Sequence, residues 1–313
     1  MAIIADSILT GVKRRISMPA SQVLLQDTDI LAFADDAIKA HIIPMLESTN
    51  QEYFVTSEDI PLVASTSEYN IPYRATGRSF RELKLKSSTD STDVRNLQKI
   101  SIEDLQIFSS QALPMGFYFK GDRFVLVPDV SSSAQVDLIE AWYRLAPSNL
   151  VALAEVSTVV SVTSTIVTVD TVPSTFTVST PIDFIQGVSG NRIYSIDKSP
   201  TAVGSTTITF AAGTIPSTLI AGDYIALAGE SPVANMIPNE VYPYLESVLA
   251  KRCLRSIGDF EGARELNDDI SEEKKNLLKI LEPRIDGEPT VIINRTGLVR
   301  GQKFGQRSWL YGQ

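Results

Sequence analysis

Apolar residues recur every four positions at the start of the chain. Ile4, Ile8, Val12 and Ile16 share one helical face, which predicts a helix over residues 4–17 that Pro19 stops. Asp27 reads as the N-cap of a second helix from Thr28 to about Met45. Its apolar positions are Ile30, Leu31, Ala34, Ile38, Ile42 and Met45, and Pro44 ends or kinks it. The period then shortens. Residues 53–56, 68–72, 79–86, 94–100 and 134–143 read as strands, with Phe80, Leu83 and Leu85 alternating against Arg81, Lys84 and Lys86. Residues 117–127 read as a hairpin turning at Gly121-Asp122, and a short helix is predicted over 101–108.

Residues 150–230 have a different texture. Of these 81 residues, 24 are Ser or Thr, and the only cations are Arg192 and Lys198. Runs such as Thr158–Val169, Thr206–Phe210 and Asp223–Leu227 are rich in stiff β-branched side chains that suit a pleated surface. An inserted all-β module, sandwich-like or barrel-like, is predicted. Low-complexity disorder is the competing reading. Helix returns from Pro238, with Val241, Leu245, Val248, Leu249, Cys253 and Leu254 as its stripe. Gly258-Asp259 interrupts it, and a charged helix from Phe260 to about Glu282 follows, closed by Pro283.

The expected fold is α+β: an amphipathic helix bundle with a small antiparallel sheet, plus an inserted all-β module and an extended C-terminal arm. The corresponding domains are 1–149 with 231–283, then 150–230, then 284–313.

Composition narrows the chemistry. The 313 residues carry a formal charge of −9, a poor basis for gripping nucleic-acid phosphates. One cysteine, Cys253, excludes an intrachain disulfide, and with the single His41 it cannot supply the four N or S ligands of a structural zinc site. The N-terminus lacks the layout of a signal peptide, and no run approaches a membrane span, so a soluble protein of a reducing cytoplasm is expected. His41 reads as a packed or half-exposed helix residue, and Cys253 as a small core residue. Asp35 and Asp36 point about 100° apart on a helix and do not converge. No phosphate loop, GxSxG, HExxH or EF-hand pattern occurs, so no catalytic residue, cofactor or metal ligand is assigned.

The C-terminal segment stands out. From residue 289 it has four basic residues, Arg295, Arg300, Lys303 and Arg307, and no acidic one. Phe304, Trp309, Leu310 and Tyr311 accompany them. Arg and aromatic side chains anchor interfaces, so the segment reads as one that orders on a partner; an unstructured solubilising tail is the alternative.

The order of these pieces resembles the head-to-tail adaptor (connector) proteins of tailed bacteriophages. The resemblance rests on the N-terminal helix pair with Asp27–Ala37, on Glu68-Tyr-Asn-Ile-Pro72, on Leu97–Leu105, on Leu113–Pro128, on Val136–Pro147 with Trp142-Tyr143-Arg144, and on Ile237–Leu245 leading to Ser256-Ile-Gly-Asp-Phe260. It covers about residues 5–147 and 235–285, and 150–230 lie outside it. It implies a virion neck protein that forms a ring with copies of itself, commonly twelve, between portal protein and tail proteins, with genomic DNA passing through the hole unbound. It also implies that the arm reaches the portal, which would make Arg295, Arg300, Lys303, Phe304, Arg307, Trp309, Leu310 and Tyr311 docking residues. A second expectation is a binding module, the β insertion contacting glycan or capsid; Phe184, Tyr194, Phe210 and Tyr224 are its candidate stacking residues, and core positions are the favoured reading of these aromatics.

Overall fold

The computed structural model describes residues 3–17, 25–49, 52–63, 65–87, 94–105, 114–128, 137–188 and 190–281. Helix α1 (Ala5–Arg15) buries Ala5, Ile8, Leu9 and Val12, with Asp6 in its first turn and Lys13, Arg14 and Arg15 in its last, each sign opposing the helix dipole. Helix α2 (Asp27–Ala37) is capped by Gln26, not Asp27: Gln26 and Asp29 form a reciprocal capping box, with the Gln26 N–H donating to Asp29 Oδ2 at 3.0 Å. Asp27 is instead the first helical residue. The helix then widens into a π turn, Ile38–Ile42, before α3 (Ile43–Thr49). Pro44 lacks an N–H and its ring would collide with the carbonyl of Ala40. The wider turn sits where that collision would fall, so the helix continues past the proline.

Strands dominate the rest. They are β1 (Val55–Pro61), β2 (Glu68–Asn70), β3 (Ala75–Ser87), β4 (Val94–Lys99), β5 (Gly116–Lys120), β6 (Arg123–Val127) and β7 (Asp137–Leu145). These pair in the order β1-β7-β3-β4-β5-β6-β2. All contacts are antiparallel except β4–β5. Every strand of this sheet contributes to one apolar cluster, in which Phe124, Leu83, Ile139 and Tyr143 are fully buried, so the sheet curls around its own core. The hairpin β5–β6 turns at Gly121, whose φ of 65° favours a residue without Cβ.

The chain next passes β8 (Asn149–Leu150) and enters a second seven-stranded sheet. Its strands are β9 (Ser157–Val162), β10 (Ile166–Val169), β11 (Ile182–Ile185), β12 (Ile193–Lys198), β13 (Ala202–Val203), β14 (Thr207–Thr209) and β15 (Tyr224–Leu227), in the order β12-β11-β15-β9-β10-β14-β13. Every pairing in it is antiparallel. Val167, Ile182, Phe184, Ile208 and Ile225 fill its core. The chain leaves through β16 (Glu230–Ser231), which pairs in parallel with β8. Entry and exit of the second sheet are thus clamped side by side. Pro232 accepts a 2.7 Å bond from the Ala5 amide, tying α1 to the same clamp.

Helix α4 (Tyr242–Ser256) has a proline in its first turn and follows a 3-10 turn, Asn239–Val241, capped by Pro238. Gly258, at φ 87°, ends it, and Asp259 Oδ1 accepts the Gly262 amide at 2.9 Å to start α5 (Phe260–Leu281). The helices from both ends of the chain share one core, with Ile8, Ile30, Ile42, Leu245, Leu249, Cys253 and Leu277 inside it.

The expected helix bundle with a small antiparallel sheet is therefore corrected. The described residues form a mixed α/β fold made mostly of strands, with four helical segments and three sheets, one of them a curled half-barrel of seven strands. β1 escaped notice over much of its length because Val-Thr-Ser-Glu-Asp-Ile-Pro carries little apolar alternation. Its pairing with β7 makes it a strand, and β3 runs for 13 residues where only eight were expected.

The two large sheets meet at a buried ion pair. Arg74, in the turn before β3, is 4 % exposed and Asp183 on β11 is 0 % exposed. Arg74 Nη1 donates to Asp183 Oδ2, and Nη2 donates to Ser148 Oγ at 2.9 Å. Asp183 also accepts the Asp197 amide at 2.9 Å and the Gly229 amide at 3.1 Å. Burial pushes the Asp183 carboxyl up, and Arg74 and the two amides oppose that shift. Removing the cation strands a buried carboxylate, so Arg74→Met is expected to cost about 3–5 kcal/mol. Arg74→Met with Asp183→Asn should recover part of it. Guanidinium unfolding measures both; a loss below ~1 kcal/mol for Arg74→Met would contradict this role.

Candidate functional site

Two open clefts share Asn191, Arg192 and Ile193: the smaller lies at the seam between the sheets, the larger is walled by residues 186–220 of the second-sheet region. These three residues precede or open β12, a strand shared between two cores. Ile193 and Ile196 pack against the cluster of the first sheet, whereas Tyr194 packs against that of the second. The strand irregularities that permit this include shifted register against β11 and Asp197 in the left-handed region, φ 56°.

The larger cleft is about 700 Å³, and Gln186, Asn191, Arg192, Tyr194 and Thr218 give it polar walls over Ile193 and Ile220. The smaller, about 450 Å³, lies toward β1 and is bordered by Tyr53, Val55, Thr56 and Met236. Both volumes fall in the usual range of small-molecule sites, roughly 300–1,000 Å³. Asn191 is fixed: its Nδ2 donates to the carbonyls of Ala234 at 3.0 Å and Ile237 at 2.5 Å, and its own carbonyl accepts the Met236 amide at 2.9 Å. Its Oδ1 is left as an acceptor. Beneath the larger cleft Asp223 is fully buried and accepts the Gly187 amide at 2.9 Å and the Ile220 amide at 3.0 Å, which shapes the wall. Burial, then Asp223, pushes the Tyr194 phenol up. Burial, then Glu240, does the same to Tyr53, and Arg192 opposes it. Arg192 is exposed, and its guanidinium makes no hydrogen bond or ion pair among the described residues.

Of the four aromatic residues read as glycan-stacking candidates, only Tyr194 borders a cleft. Phe184 and Phe210 are core residues, 5.1 Å apart between ring centroids. Tyr224 is buried, with its ring pressed where a Cβ on Gly187 would sit, 2.4 Å away. These three take the core positions favoured for them, because an aromatic alternating in a strand is placed by the sheet's inner face. The docking candidates Arg295, Arg300, Lys303, Phe304, Arg307, Trp309, Leu310 and Tyr311 lie outside the described residues.

Sequence reasoning missed Gln186, Asn191, Arg192, Thr218 and Tyr53 as site residues. The one available signal was Arg192, one of two cations in an 81-residue stretch. No known protein family matches the chain, and no curated protein does.

The other titratable candidates take separate places. His41 is exposed, 3.4 Å from Arg252, and burial together with Arg252, Lys274 and Lys251 holds its pKa below the usual value. Cys253 is fully buried on α4, its thiol pushed up to about 11 by burial. Asp35 and Asp36 diverge. Asp36 is exposed beside Arg252, whereas Asp35 is half-buried and accepts the Leu150 amide of β8 at 2.7 Å. Burial raises Asp35 from 3.8 to about 6. The folded state therefore binds the extra proton between these values, and the stability this contributes is present below about pH 4 and lost as pH rises through about 6. Asn at this position keeps the acceptor and cannot ionise. The difference in melting temperature, Asp35→Asn minus wild type, should grow between about pH 4 and 6 and level above it. A difference independent of pH would contradict the assignment.

Proposed function

We propose that the chain is a structural protein of a tailed-phage virion, a neck adaptor that assembles as a ring between portal and tail and leaves a channel for DNA. The observation that supports this most is the common core of α1 to α5. Helices from both ends of the chain pack together, and α5, 22 residues and about 33 Å long, stays packed on that core through Leu277, Leu278 and Leu281. The basic and aromatic segment of residues 289–313 follows directly in sequence. A helical layer with such a segment at its exit suits a subunit that meets its own copies through the layer and a portal ring through the segment.

Charge on α5 suits a head-to-tail ring contact. Its exposed acids, Glu261, Glu265, Asp268, Asp269 and Glu272, precede its exposed Lys274, Lys275 and Lys279. One subunit's acidic half can face a neighbour's basic half, the geometry of a heterologous interface that closes into a ring. The second sheet, outside the resembling stretch, would stand on the periphery of such a ring.

Purified full-length chain mixed with portal rings should co-sediment at about one copy per portal subunit, and a chain cut after Pro283 should stay in the supernatant. Binding by both forms would move docking off the terminal segment. Failure of both would overturn the adaptor reading.

A further inference from the structure

We propose that the clefts flanking Asn191, Arg192 and Ile193 are a binding site for an acidic oligosaccharide, one whose sugars carry carboxylates. The proposal does not rest on the adaptor reading.

The chemistry follows from what the walls offer. The Arg192 guanidinium borders both clefts and has no partner among the described residues. Its planar fork matches a carboxylate with two parallel N–H donors. Around it stand groups that both donate and accept, the Gln186 amide and the Thr218 hydroxyl, with the Asn191 Oδ1 added as a fixed acceptor. Vicinal sugar hydroxyls need such mixed partners. Ile193 and Ile220 supply apolar floor, and the Tyr194 and Tyr53 rings stand one in each cleft, suited to the C–H faces of pyranose rings. A free phosphate would use Arg192 alone and leave the amides and rings idle. An acidic peptide would want more cations than one in a segment that has only Arg192 and Lys198.

The cleft is also built to stay open. Asn191 is pinned to the 234–237 segment through two carbonyls. In that segment Asn235 is 7 % exposed, and neither polar atom of its side-chain amide has a hydrogen-bond partner. Gly190 has the side-chain oxygen of Gln186 2.5 Å from where a Cβ would be, so any larger residue would force the Gln186 side chain to move.

The test is titration of the full chain by calorimetry with hexagalacturonate, its fully methyl-esterified form and maltohexaose. Binding of the acid, weakened by about tenfold or more by esterification and falling with salt, is the expected result. Arg192→Ala should weaken hexagalacturonate binding by about tenfold or more, and Arg192→Lys should restore part of it, since the charge returns without the fork. Tyr194→Ala should weaken it, and Lys198→Ala, outside the lining, should leave it unchanged. Equal binding of acid and ester, undiminished binding by Arg192→Ala, or no heat with any of the three sugars would overturn the proposal.

Discussion

A carboxylate with no exposure to water is costly unless donors replace its hydration. Asp183 has three: the Arg74 guanidinium and the amides of Asp197 and Gly229. These donors come from different places. Arg74 belongs to the turn before β3 of the first sheet, Asp197 to β12, and Gly229 to the exit toward β16. Arg74 also holds Ser148, just before β8, and Tyr73 donates to the Asp197 carboxylate. The second sheet is therefore joined to the first through a directional polar joint, and its position follows from hydrogen-bond geometry as well as apolar contact. Apolar packing alone tolerates sliding; a guanidinium shared by a carboxylate and a hydroxyl does not.

The clefts lie at the start of β12, the strand whose far end carries Asp197 of that joint. β12 belongs by hydrogen bonding to the second sheet, yet Ile193 and Ile196 reach the apolar cluster of the first. Where a strand passes between two cores, neither closes over its start, and the two clefts share Asn191, Arg192 and Ile193 there. The Asn191 side chain and the clamp of β8 against β16 hold the two ends of this seam, and the Asp35 carboxylate ties the clamp to α2. The helical core reaches this seam: Ala234 and Ile237, whose carbonyls Asn191 holds, are among its residues, and Met236, which borders the smaller cleft, packs against it.

The helices were legible because burial selects a stripe. Ile8 and Val12, Leu245 and Leu249 repeat at helical spacing and all reach the core. The Ser- and Thr-rich stretch read as strands for an equally local reason, its β-branched runs. The extent of the first sheet was not legible. β1 is polar over most of its length, β8 and β16 are two residues each, and their pairing is a tertiary event. Nor was the joint, since a buried arginine has the same letter as a surface one and only the partner across 109 residues makes Arg74 structural. The cleft fell between the two cases. The scarcity of cations in residues 150–230 is a signal for Arg192 from which no role was read, and the amides around it carry no sequence signal because Asn and Gln fill loops everywhere.

Native-state hydrogen exchange at the joint tests most directly whether the two sheets are held as one body. The Asp197 and Gly229 amides, bonded to the Asp183 carboxylate, should exchange as slowly as the amides of Leu83 and Tyr143 in the core of the first sheet, through one shared opening. Exchange of Asp197 and Gly229 at the rate of surface loops, with Leu83 and Tyr143 still protected, would contradict the account: the second sheet would then open on its own, and the seam would not be a fixed site.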